Sequence, residues 1–72
     1  MSREKVVFRI RTLIYDLNLL QNRLVSVLFD ILYPDDAKSR ILMEMRENKE
    51  FMERLLADID KIIELIEAES RP

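Results

Sequence analysis

Glycine, cysteine, histidine and tryptophan are all absent from these 72 residues, and proline occurs only twice. Each absence excludes something. Tight hairpins and irregular folds need residues that tolerate positive φ, and glycine is the one that does so at least steric cost. A chain without it is expected to be helical, with few turns. No cysteine means no disulfide and no thiolate chemistry, in keeping with a reducing compartment. No histidine removes the commonest general base, the usual zinc ligand and the titratable switch near neutral pH. Charge of either sign is also nearly balanced. Fourteen acidic residues stand against twelve basic ones, a net charge of −2, too small to imply a polyanionic partner. The longest nearly apolar run, Leu24 to Tyr33, is broken by Ser26 and Asp30. It is about half the length a bilayer crossing requires. The start, Met1-Ser2-Arg3-Glu4-Lys5, is too charged for a signal peptide, so the expectation is a cytoplasmic chain that does not engage a membrane.

What is present is aliphatic and periodic. Hydrophobic residues make up 49% of the chain and charged residues 36%, the composition of a long amphipathic helix or coiled coil. Alternating steps of four and three from Val6 give Ile10, Leu13, Leu17, Leu20, Leu24, Val27 and Ile31. All eight positions are aliphatic, a heptad seam that predicts a helix over about 3–32 packed along its length on another helix. Ser2 suits the N-cap, and Glu4 suits the first turn. The sequence Tyr33-Pro34-Asp35-Asp36 then ends the helix, because proline drives Tyr33 out of the α region. Proline and the two acids also suit the start of a second helix. That helix is predicted over about 36–69, with a seam of Ile41, Met45, Asn48, Met52, Leu55, Ile59, Ile62 and Ile66. Ser70-Arg71-Pro72 is expected to fray.

A short connection makes the helices antiparallel neighbours. Residues 1–72 are therefore read as a single all-α helical-hairpin domain. Folding at Pro34 sets Val6 opposite Ile63, Ile10 opposite Ile59, Leu17 opposite Met52 and Leu24 opposite Met45. The same register brings Gln21 to the level of Asn48. This polar level is either a wet seam edge or a buried amide pair that fixes register. It also lays the basic start (Arg3, Lys5, Arg9, Arg11) beside the acidic end (Asp58, Asp60, Glu64, Glu67, Glu69).

Helix one carries more apolar surface than one partner helix covers. Phe8, Tyr15, Leu19, Val25, Phe29 and Leu32 lie outside its seam and are the predicted dimer interface of a four-helix bundle built from two hairpins. Arg9, Asp16, Arg23 and Asp30 recur every seven residues with alternating sign. In an antiparallel homodimer Arg9 would face the partner's Asp30, and Asp16 the partner's Arg23. The competing arrangement lies within one chain: Asp16 with Arg54, Arg23 with Glu47, Asp30 with Arg40.

Catalytic and metal constellations are not found. Glu44, Glu47, Glu50 and Glu53 climb helix two at spacing three, mostly off the seam and with no histidine to complete a dinuclear site. The serines lack an activating base, and no phosphate-cradling loop exists. No enzyme activity, cofactor or metal is expected. The role anticipated is a homodimeric scaffold, adaptor or regulator acting through protein–protein contacts. Met43 and Phe51, off the tightest stripe, are candidates for a further protein contact. The alternative is a nucleic-acid-binding regulator. The expected architecture resembles that of the Rop-type RNA-binding regulators, which are bundles of two helical hairpins. The resemblance is architectural and carries over no motif residue by residue. On that alternative Arg3, Lys5, Arg9 and Arg11 are the contact residues.

Overall fold

The computed structural model describes residues 3–32 and 38–69. They form two helices, α1 (Arg3–Leu32) and α2 (Lys38–Glu69), packed against each other as a hairpin. The first helix spans the predicted range. The expected Ser2 cap, the Tyr33–Asp36 breaker, the first residues of the second helix and the three C-terminal residues lie outside the described residues. The aliphatic and long-chain residues that fill both helices lose little rotamer freedom there. Neither helix contains the proline or glycine that would break it.

Thirty residues at 1.5 Å each make a rod of about 45 Å, and the molecule measures 59 × 16 × 11 Å. Its radius of gyration is 16.8 Å, against about 11 Å for a compact domain of this length. Two helices side by side have one shared face, so the core is thin. It consists of Val6, Leu20 and Val27 from α1 and Leu55 and Ile62 from α2, with Asn48 buried among them. Leu13 and Ile41 are half-buried and continue the same two rows.

This is a correction to the predicted seam. Only every second seam position is buried between the helices. The inner row is Val6, Leu13, Leu20 and Val27 on α1, and Ile41, Asn48, Leu55 and Ile62 on α2. The other half of each seam stays exposed: Ile10, Leu17, Leu24 and Ile31, with Met45, Met52, Ile59 and Ile66. The reason is the width of the apolar stripe. Each helix also carries a third row (Val7, Ile14, Gln21, Leu28; Leu42, Lys49, Leu56, Ile63). The stripe is therefore centred on the exposed row, which is turned about 50° from the inner row at 3.5 residues per turn. The helices meet at one edge of their stripes, not at the centre.

Candidate interaction surface

On one side of the line where the helices meet lies a polar clasp. Its α1 row is Arg9, Asp16, Arg23 and Asp30; its α2 row is Glu44, Phe51, Asp58 and Leu65. Near the turn, an Arg40 Nη2 lies 3.5 Å from Asp30 Oδ1 and its Nε 3.9 Å from Glu44 Oε1. This joins α1 to α2 at the register expected for the intrachain arrangement. Glu44 Oε2 is shut off from water. That desolvation raises the Glu44 pKa above its ordinary value, and the neighbouring Asp30 raises it further by repulsion and by a carboxyl–carboxylate hydrogen bond; Arg40 opposes the rise. Halfway along, the Phe51 ring is flanked by two guanidinium groups, Arg23 Cζ at 4.9 Å and Arg54 Cζ at 5.3 Å from its centroid. Cations sit favourably over aromatic faces at such distances. Phe51 is half-buried by this arrangement, whereas Met43 is exposed. Towards the N-terminal end of α1, Lys5, Phe8, Arg9 and Thr12 share a groove with Asp58 and Leu65. The Thr12 hydroxyl donates to the Phe8 carbonyl at 3.0 Å, a local bond that keeps it from reaching outward.

The other side of the hairpin is different. The exposed row and the third row of both helices run side by side along the whole rod. Of the eighteen described positions in these rows fourteen are apolar; Arg3 and Lys38 stand at the ends of the exposed row, and Gln21 and Lys49 interrupt the third row. The latter two fall at one level, since Asp30 faces Arg40 and Thr12 faces Asp58 in the same register. Near the middle, Leu17, Leu20, Gln21, Leu24, Val25 and Leu28 line an open groove of about 330 Å³.

The residues singled out from sequence are distributed over several surfaces. Phe8, Tyr15 and Phe29 form the row of α1 that points away from α2, and all three are exposed; Leu19 is half-buried; Val25 and Leu32 are exposed beside the apolar face. Arg9, Asp16, Arg23 and Asp30 all lie on the clasp. Of the basic start, Lys5 and Arg9 converge on one groove with Asp58, while Arg11 falls on the opposite flank, beside the apolar face. Asn48 is buried and Gln21 is exposed, so the two share a level without forming a closed layer. Leu42, Leu56 and Ile63, which the sequence sets beside the α2 seam as residues that widen its stripe, are exposed and extend the apolar face over α2 as over α1; what the sequence did not show is that this face stays open in the hairpin.

Among the described residues, no group of three or more carboxylates is placed to hold a metal ion, and no helix is long and apolar enough to cross a membrane. No protein-family model, curated protein or solved structure matches this chain.

Proposed function

We propose that the protein is a non-catalytic helical-bundle protein that works as a homodimer, a small scaffold, adaptor or regulator acting through protein–protein contacts. The observation that carries this reading is the apolar face that runs along both helices, interrupted at mid-length by Gln21 and Lys49. Contiguous apolar surface of this extent on a small chain marks an association site. Among the described residues only five apolar side chains are buried, little to set against the entropy of ordering two long helices. Oligomerisation is the usual remedy for a chain this size. Sedimentation equilibrium tests the reading: a two-chain mass at micromolar concentration is expected, and a well-folded monomer at that concentration would refute it.

A second reading keeps the basic start of α1 as a nucleic-acid contact. Its support is the convergence of Lys5, Arg9 and Phe8 on one groove. Asp58 in the same groove weakens it, since a carboxylate repels a phosphate. Absence of any electrophoretic shift of RNA or DNA at low salt, where phosphate contacts are strongest, would remove this reading.

A further inference from the structure

We infer that the open apolar face is covered by a second copy of this chain, with the two turns at the same end, so that α1 of each copy lies on α2 of the other. The inference rests on the homodimer reading above and adds the face and the orientation.

The first argument is area. A compact monomer of 8.7 kDa exposes about 4,700 Å² by the size scaling of folded proteins. This chain exposes 6197 Å². The excess is roughly 1,500 Å² per chain, about twice what each partner buries in a standard stable interface and in the range of obligate dimers.

The second argument is self-complementarity, which an isologous interface requires. A two-fold axis parallel to the rod keeps every residue at its own level. The third rows then meet one to one: Val7 with the partner's Ile63, Ile14 with the partner's Leu56, Leu28 with the partner's Leu42. The two polar exceptions also meet, Gln21 with the partner's Lys49, whose ammonium can donate to the amide oxygen. Within the third rows no apolar side chain is left facing a polar one. An axis perpendicular to the rod does worse. Centred on the polar level, it sets Lys49 against the partner's Lys49 and carries Ile63 and Ile66 past Lys38, where the described part of α2 begins.

The third argument is charge at the rim. The row flanking the apolar face holds Arg11 on α1 and Asp60 on α2. They stand far apart within one chain, one on each outer edge. The parallel axis brings Arg11 beside the partner's Asp60 twice, and Asn18 beside the partner's Glu53. The basic starts and acidic ends then alternate around one end of the bundle. In that row the one like-signed approach, Glu4 to the partner's Glu67, falls at that wet end, where screening is strongest; on the axis Arg3 and Lys38 each approach their own copy at opposite ends of the described rod, also at wet ends.

The absence of cysteine makes the test direct. The exposed double variant Arg11→Cys/Asp60→Cys is treated with a short bifunctional thiol cross-linker and run under denaturing conditions. So is the single variant Lys49→Cys, after both are checked for helix content and native mass. The expected result is a covalent dimer from the double variant and none from Lys49→Cys. A covalent dimer from Lys49→Cys alone would overturn the orientation and leave the homodimer intact. No cross-link from either variant, with a two-chain native mass, would overturn the face as well. A native mass of one chain, or of three or more, would refute the homodimer reading itself.

Discussion

Leu20 and Leu24 are neighbours on α1, yet the structure gives them different environments, and truncating each to alanine separates a lone hairpin from a bundle. Leu20 is 5% exposed and Leu24 is 38% exposed. In either state of assembly Leu20→Ala removes a core side chain, at a cost of about 2–5 kcal/mol. For Leu24 the two states differ. In a lone hairpin more than a third of the side chain is already wet, and no closed cavity would remain. Fully burying a leucine is worth about 1.5–3 kcal/mol, so the partial loss is about 1 kcal/mol. In the bundle, Leu24 occupies the centre of the apolar stripe and points to the common axis. Its truncation should then cost as much as Leu20→Ala. Urea unfolding followed by far-ultraviolet circular dichroism measures both, at two protein concentrations a factor of ten apart. A dimer that unfolds to separated monomers gains about 1.4 kcal/mol of apparent stability per tenfold concentration. The expected outcome is a concentration-dependent midpoint and comparable costs for the two variants. A midpoint indifferent to concentration, with Leu24→Ala costing 1 kcal/mol or less, would refute the reasoning.

Two further outcomes follow from the clasp. Glu44 has a raised pKa in the folded chain, because of burial and then Asp30, so the native state holds a proton that the unfolded chain releases near its ordinary value of 4.5. Stability contributed by that protonated form is complete below pH 4.5 and is lost as pH rises through the native pKa. Glu44→Gln should therefore flatten the pH profile above 4.5 and exceed the parent in stability at neutral pH; urea midpoints running parallel to the parent's from pH 4 to 7 would contradict this. Phe51→Ala should cost about 2 kcal/mol, from a half-buried ring and two cation contacts of about 0.5–1 kcal/mol each, less than the 3–5 of a fully buried phenylalanine. Phe51→Leu keeps the bulk and loses the ring, so equal thermal stability of Phe51→Leu and the parent would show that the guanidinium contacts contribute nothing.

The helices and their register were legible because heptad spacing over thirty residues admits no other period, and because Pro34 falls where the pattern stops. The Asp30–Arg40 pairing was within reach for the same reason. Which edge of the stripe faces the partner helix was not legible from periodicity. A stripe three rows wide packs equally well at either edge as far as spacing is concerned. On the clasp side Asp30 finds Arg40 and Arg23 finds Phe51; the other edge carries Arg11 and Asp60 at one level, so charge on the flanks does not announce the choice either. Phe51 was legible as an aromatic off the seam, but not as the object of two arginines. Arg54 stands three residues along the same helix, and Arg23 joins it only once the hairpin closes.

The alternation of Arg9, Asp16, Arg23 and Asp30 has a mechanical consequence. Two aliphatic heptad helices could slide past each other by one repeat, about 10 Å, and meet leucine with isoleucine again. The charges forbid that step. A slide of seven residues in one direction replaces Asp30 by Arg23 opposite Arg40, turning an ion pair into a repulsion. The same slide replaces Arg23 by Asp16 over the face of Phe51, where a carboxylate is repelled by the ring. Each sign in the row inverts at once, so the apolar repeat, which alone cannot distinguish one notch from the next, is marked against a slip of one repeat. The clasp thus works as a ratchet pawl on an otherwise smooth rod.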